Sequence, residues 1–425
     1  MELKLISLLG LMAFIALAWG ISLRRDKFPW RTVLAGVGLQ FAVALLLIRE
    51  SSFSKWVYSN AKIAADNVLY FAKQGTQLIF GPLAKREALE PVFGGNDAMV
   101  LGITICGTII LVAVLSSLLY HLGILQRIVR AMAWVMRRVM RTSGSESLCT
   151  SANVFMGQTE APLVIQPYLK GMTKSELMTM MVGGMATIAG GVFAVYHGMG
   201  VEAGHLLTAS FMAAPTALYM SKILLPETSK SETADGANED VKGDTTNALD
   251  AMCQGASDGM KLTINVLAML IGFTAVIALA NYLLVLPQGW AGVAEPITFD
   301  KLLGWLNAPF AWLMGVPWSD CPFIGECLGK RIVFTEFIGY DNLKAAIPQD
   351  GAPPVIELAA PKRSIALATF AICGFANFAS IAIQIGGIGS LAPERRKDLA
   401  SLGLRAMAGG ILVGYTNACI AGLFI

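Results

Sequence analysis

Residues 153–167 read NVFMGQTEAPLVIQP, with Gly157, Gln158, Thr159 and Glu160 side by side in an otherwise apolar stretch. A carboxylate, an amide and a hydroxyl at bilayer depth are costly; a central Asp alone costs roughly 2.5–3.5 kcal/mol on the insertion scale. Pro162 and Pro167 deny the segment an ordinary continuous helix. Such a stretch is either a polar surface loop or broken backbone that lines a cavity inside a membrane protein. Ionisable residues at membrane depth favour the second reading.

Composition sets the class. Of 425 residues, 55% are hydrophobic and 14% charged, with mean hydropathy +0.61, too apolar for a soluble globule. The net charge of +3 says little about partners, because loop charges matter more in a membrane protein. The seven cysteines form no CxxC and no His-paired spacing, and the three histidines are scattered. A metal centre or a Cys–His nucleophile is therefore not expected, although Cys321 and Cys327 are close enough in sequence to pair.

Working outward, residues 6–23 form an apolar run followed by Arg24, Arg25 and Lys27. Charges that follow the run suit an uncleaved span better than a signal peptide. Residues 33–48 predict a second span with Trp30 as an interfacial anchor. In residues 54–80, Val57, Ala61, Ala64, Val68 and Ala72 recur at helical spacing among charged residues. That pattern is an interfacial amphipathic helix or a plain connecting one. Residues 99–125 are a third span. Next comes a basic helix with Arg127, Arg130, Arg137, Arg138 and Arg141 on one face and Ile128, Met132, Val135 and Val139 on another. This suits an anionic cytoplasmic leaflet, not nucleic acid.

After the organising stretch, residues 177–201 and then 203–221 predict two spans. In the first of these, Gly190 and Gly191 mark either close helix packing or a point where a helix opens. Residues 226–250 are polar, mixed in charge and poor in large apolar residues, which predicts a mobile cytoplasmic loop. Further spans are expected within 261–295, 364–393 and 406–425. Residues 302–319, broken by Pro309, Gly315 and Pro317, are expected to lie at the interface.

If all the basic clusters are cytoplasmic, both termini lie outside, and there are roughly eight spans with a re-entrant hairpin at the organising stretch. A second hairpin is expected at Phe334-Thr335-Glu336-Phe337. It is followed by a span whose middle reads Gly374-Phe375-Ala376-Asn377-Phe378-Ala379-Ser380. The fold expected is therefore an all-α polytopic membrane protein with an inverted repeat around a midplane site. Its divisions are N-terminal spans (1–98), a first repeat (99–225), a loop and linker helix (226–258) and a second repeat (259–425).

At these clusters the chain resembles a known family. GQTEAPLVIQPYL, FTEFIGYDNL and CGFANFASIAIQIGG are similar to signature segments of the concentrative nucleoside transporters, in particular the compact bacterial members. The resemblance implies a homotrimer in a bacterial inner membrane, each subunit moving a transport domain like an elevator past a fixed scaffold. It also implies that Gln158, Thr159 and Glu160 face the nucleobase with Val192 packed on it. Glu336, Asn377 and Ser380 would hold the ribose with Phe375 beside it, and Leu262 would lie near the substrate. Asn153, Met156, Thr187 and Ile188 match the family's Na+ site, largely through backbone carbonyls.

The chemistry of these residue types agrees with that reading. A nucleoside is neutral but rich in donors and acceptors, so it calls for amides, hydroxyls and carboxylates. No arginine falls within the three clusters, and the phosphate of a nucleotide would be left unpaired there. A proton-coupled nucleoside symporter is the alternative. More distant are an antiporter or channel using Glu160 and Glu336 as a proton relay, and a membrane hydrolase, for which no nucleophile–base arrangement exists. Pocket shape, and with it purine or pyrimidine preference, is not written at this level, nor is stoichiometry.

Overall fold

The computed structural model describes residues 2–93, 100–234, 236, 245–290, 293, 296–348 and 353–425, and all its regular elements are helices. In chain order the α-helices are α1 (Glu2–Gly20), α2 (Trp30–Leu47), α3 (Ser52–Phe80), α4 (Arg86–Phe93), α5 (Leu101–His121) and α6 (Ile124–Met140). The first hairpin is α7 (Gly144–Ala152) and a 3-10 helix (Ala161–Tyr168), followed by α8 (Lys174–Ala186), α9 (Gly190–Gly198) and α10 (Ala203–Leu224). The second half runs α11 (Ala248–Trp290), α12 (Phe299–Leu313), α13 (Cys321–Val333), α14 (Glu336–Lys344), α15 (Pro361–Ile372), α16 (Phe378–Leu391) and α17 (Arg396–Phe424).

Among the described residues, six stretches are long and apolar enough to cross a membrane: α1, α2, α5, α8 with α9, α11, and α17 with the turn before it. The 22-residue α10 and the broken α15–α16 pair bring the crossing units to eight, so this is a multi-pass membrane protein. The order of elements recurs: α5 to α10 runs span, amphipathic helix, hairpin, broken helix, span, and α11 to α17 repeats it.

Several starts are set by local chemistry. Ser143 and Glu146 form a reciprocal cap on α7, and Thr173 and Glu176 do the same on α8. Each cap satisfies backbone N–H groups that a buried helix end would otherwise leave unpaired. The core lies where α8–α9 and α17 sit: most of the α8–α9 stretch is buried, whereas α11 buries only Ala251, Gly255, Gly259 and Thr263. α11 packs chiefly along α5, and Ile264, Ile271, Leu279 and Leu283 on its outer side are exposed.

Three expectations need correction, and the open question of a Cys321–Cys327 bond is answered. The face of α6 against the protein is Leu125, Val129, Ala133, Met136 and Met140, while Ile128 and Val139 point outward with Trp134. The apolar stripe is thus two-sided, one side for the protein and one for the membrane. The loop at 226–250 is not free throughout, because Thr233 is buried. Its carbonyl accepts from Gly144 N at 2.8 Å, its hydroxyl meets Ser145 Oγ at 2.8 Å, and Ser231 donates to Glu176 at 2.5 Å. Short polar side chains here satisfy the start of α7. The rest of that loop, 235 and 237–244, lies outside the described residues. α10 extends past Ser221 through Lys222, whose ammonium is neutralised by Glu146 at 2.6 Å with both side chains buried. Finally, Cys321 and Cys327 are free thiols; the Cys321 thiol is directed at the Pro317 carbonyl, the Cys327 sulfur at Asn342.

Candidate substrate and cation site

Two interrupted helices frame the site. α8 stops at Ala186, and Thr187 (φ −120°, ψ 159°) and Ala189 (φ −70°, ψ 147°) are extended before α9 begins. Of the two readings of the paired glycines, the open helix is the one found. The chain between α15 and α16 is likewise unwound from Cys373 to Asn377, where Gly374 has φ 149°. A Cβ on Gly374 would lie 2.8 Å from the backbone of Ala186, so the two breaks touch through a residue that only glycine can be. Asn377 then starts α16 by accepting from Ser380 N at 2.9 Å.

The polar side chains gather in two buried sets. In the first, Gln158 of hairpin 1 donates to the Ser380 hydroxyl at 3.1 Å. Its carbonyl accepts from Gln384 Nε2 at 3.2 Å, and Gln384 also donates to the Met181 carbonyl at 3.1 Å. Gly184 makes room for this: a Cβ there would meet Gln384 at 2.8 Å. In the second set, Glu336 at the start of α14 accepts from the Tyr196 hydroxyl at 2.8 Å and from Asn377 Nδ2 at 3.3 Å. Each carboxylate oxygen thus has one donor and a remaining lone pair.

A third locus suits a cation. Asn153 caps the C-terminus of α7 and Thr187 that of α8, so two negative helix ends come together. The Asn153 side-chain oxygen is buried and has no hydrogen-bond partner, while Asn153 Nδ2 lies beside Gly183. Thr187 Oγ1 donates to the carbonyl of that same Gly183 at 3.1 Å. Unpaired oxygen at a helix C-terminus is what a hard cation such as Na+ requires. Ile188 is buried in the break and Met156 is half-buried at the hairpin tip.

The other expected residues spread around these sets. Thr159 packs against the position of Gly387 on α16, and Leu262 of α11 approaches Gly191. Val192 is buried in the first turn of α9, and Phe375 is half-buried in the unwound segment. Glu160 does not join Glu336; its carboxylate turns back to accept from Gly157 N at 3.1 Å.

Sequence reasoning missed three participants. Gln384 stands four residues after Ser380, one helical turn along the same face, and that spacing could have found it. Tyr196 is an apparently ordinary aromatic in a span, without such a signal. Arg331 lies outside the three sequence clusters: it is fully buried on α13 and donates through Nε to the Gly374 carbonyl at 3.4 Å.

Comparison with known proteins adds to this geometry. Residues 205–422 match the family described as "Na+ dependent nucleoside transporter C-terminus", residues 9–83 its N-terminus counterpart, and residues 103–202 a gate described as "Nucleoside recognition". A Haemophilus influenzae protein described as an uncharacterized transporter is 39% identical, with 99% of this chain and 97% of that protein covered. The rat sodium/nucleoside cotransporter 1 is 36% identical over 99% of this chain and 64% of its own. Among solved structures, CNTnw in an inward-facing substrate-bound state superposes with TM-score 0.91 at 37% identity, covering 99% of this chain and 98% of that one. A variant of CNTnw in an outward-facing state superposes with TM-score 0.92 at 36% identity, covering 100% and 98%.

Proposed function

Because this chain belongs to the Na+-dependent nucleoside transporter family, whose members are membrane transporters and not enzymes, we propose that it imports nucleosides such as uridine by symport with Na+. Nucleoside transport by alternating access, with Na+ as coupling ion, is what membership of the family carries. The finer assignments are our own reading. The observation that carries them is the pairing of a buried neutral amide set with a buried carboxylate across two touching helix breaks.

In this reading Glu336 takes the ribose. With Tyr196 and Asn377 fixing its plane, its free lone pairs accept from two neighbouring hydroxyls, and Asn377 and Ser380 supply further polar contacts. Gln158 can both donate to and accept from a base edge, with Thr159 and Glu160 next to it on the hairpin tip. Val192, Leu262 and Phe375 supply apolar surface for the base and sugar. Na+ binds at Asn153, Met156, Thr187 and Ile188, where it draws the tip of hairpin 1 to the α8–α9 break and so completes the base side of the site.

The α5–α11 pair is the scaffold, and the hairpins with the broken helices move against it like an elevator. The exposed outer side of α11 faces lipid and neighbouring copies in the homotrimer, in a bacterial inner membrane with both termini outside. The test is uptake of radiolabelled uridine into proteoliposomes, followed by chromatography of the contents. Intact uridine that accumulates only with an inward Na+ gradient supports the reading. Uptake indifferent to replacing Na+ with choline, but abolished when the pH gradient is dissipated, would assign the proton instead.

A further inference from the structure

A cavity of about 440 Å³ lies outside the substrate and cation site, where the α1–α2 turn, the α6–α7 junction and the chain after α10 meet. Four cations line it: Lys27, Arg141, Lys222 and Lys230. They come from three separate basic clusters of the sequence. The carboxylates that line it, Glu146 and Glu227, are both engaged. Glu146 holds Lys222 at 2.6 Å and accepts from Ser143 N at 2.7 Å. Glu227 lies 3.7 Å from Lys222 and accepts from the Thr173 hydroxyl and from Thr228 N and Ser229 N. Lys222 is thus neutralised. The side chains of Lys27, Arg141 and Lys230 have no hydrogen-bond or ion-pair partner among the described residues, and like charges around one hollow repel one another.

Arg141 carries a second, independent mark. It is the one non-glycine residue with positive φ among the described residues, at φ 55° and ψ 44° where α6 ends. Glycine is the usual residue in that left-handed conformation, and a side chain there is strained. An arginine kept at a glycine position on the wall of a cavity is an outlier that helix capping does not explain. We propose that this cavity binds a phosphate group, carried by a small organic ester or by a lipid headgroup. The guanidinium of Arg141 is the forked partner for two phosphate oxygens, and Lys27 and Lys230 act as point charges beside it. Thr32 and Ser229 add hydroxyls to the wall, and Phe28 and Pro29 offer apolar surface to the organic remainder. The volume falls in the roughly 300–1,000 Å³ range of small-molecule sites. A neutral nucleoside has no use for three unpaired cations, so this site is distinct from the one that takes the transported substrate.

The test uses the full chain in detergent at low salt. Titration calorimetry with glycerol 3-phosphate probes the free ester, and thermal melting with added phosphatidylglycerol, against phosphatidylcholine, probes the headgroup. Wild type should bind glycerol 3-phosphate with a Kd below about 1 mM, or show a rise in Tm with phosphatidylglycerol that phosphatidylcholine does not give. Arg141→Gly should weaken that binding roughly tenfold or abolish the rise. Without either probe it should melt no lower than wild type, because glycine suits the backbone there. The double variant Lys27→Gln, Lys230→Gln should lose binding in the same way. Arg138→Gln, which removes an exposed cation of α6 that does not line the cavity, should leave binding intact. A response to glycerol 3-phosphate supports the proposal and assigns a free ester; a response to phosphatidylglycerol alone supports it and assigns the headgroup. No response to either probe overturns it, as does a response that Arg141→Gly leaves unchanged or that Arg138→Gln lowers equally. If Arg141→Gly fails to fold or melts lower, the double lysine variant decides by the same comparison. Binding is read here without transport, so the outcome stands apart from the functional reading above.

Discussion

Hairpin 1 and hairpin 2 hold equivalent places in the two halves of the chain, yet they are made differently. The first has a nine-residue helix that is buried throughout and a returning arm wound as a 3-10 helix with Pro162 and Pro167. The second has two true α-helices, α13 and α14, and packs along α12. At its tip hairpin 1 offers an amide held by other neutral groups, whereas hairpin 2 offers a carboxylate held by the Tyr196 hydroxyl and the Asn377 amide. Their bases differ as well. Glu146 and Glu176 bind Lys222, Ser145 and Ser231 beneath hairpin 1. Asp320 anchors hairpin 2 by accepting from Ser364 Oγ at 2.7 Å and from the backbone N–H of Ala359 and Ala360. The halves share a topology, and the division between neutral and charged recognition comes from a handful of side chains laid on it.

That division implies a ranking of effects. Glu336→Gln should be the most harmful change to recognition. An amide accepts on one side only, and hydrogen bonds to charged groups contribute about 1.5–3 kcal/mol, so nucleoside affinity should fall roughly ten- to a hundredfold. Uridine competition curves with nucleosides lacking the 3′-hydroxyl check the assignment. A 3′-deoxynucleoside that competes normally would remove Glu336 from the ribose. Gln158→Ala should cost less, about 0.5–1.5 kcal/mol for neutral hydrogen bonds, or roughly two- to tenfold in affinity. If it costs as much as Glu336→Gln, the contrast between a neutral and a charged hairpin is wrong.

Thr187→Val removes one oxygen at nearly constant volume, and the half-maximal Na+ concentration should rise a few-fold, about 1 kcal/mol, with uridine affinity at saturating Na+ unchanged. An unchanged Na+ dependence would take the cation away from the α8–α9 break. The smallest effect on transport is expected from Asp320→Asn, which loosens only the base of hairpin 2. Burial pushes the Asp320 carboxyl up, but hydrogen bonds from Ser364, Ala359 and Ala360 outweigh it and hold the group below the ordinary carboxylate range. A lowered folded value stabilises above the unfolded value, near ~3.9 for aspartate, and that contribution is lost as pH falls through the folded one. Melting in detergent should therefore show wild type above the variant at neutral pH and the two converging in acid. A constant gap at all pH values would mean that the charge is irrelevant.

Much of this was legible because a membrane makes polarity conspicuous. Glu160 and Glu336 in apolar runs, prolines after one and the polar interruption Gly374–Ser380 after the other, are enough to place both hairpins and the second helix break. The first break stays ambiguous in sequence because Gly190 and Gly191 serve close packing as readily as unwinding; what decides is the run Thr187–Ala189 ahead of them, whose extended backbone carries no composition signal. Partnerships were not legible where they join distant segments. Tyr196 reaches Glu336 across 140 positions, and Thr233 reaches Ser145 across 88. A polar loop that caps a buried helix start has the composition of a free one, so residues 226–234 read as mobile. Arg331 carries no such signal, because a cation beside Lys330 at a helix end looks like a solvated terminus until burial is known.

The docking of Thr233 beneath hairpin 1 also has a mechanical consequence. If hairpin 1 moves against α11 as proposed, the leash between them, with the chain pinned at Thr233, is only the stretch from Ala234 to Ala248. At about 3.4 Å per residue it can stretch to roughly 48 Å, comfortably more than the ~15 Å that separates the middle of a bilayer core from its edge. The contour length of the leash exceeds any excursion of that size. Deletions of a few residues within it should leave the stroke untouched, whereas a leash cut to four or five residues would arrest the carrier part-way.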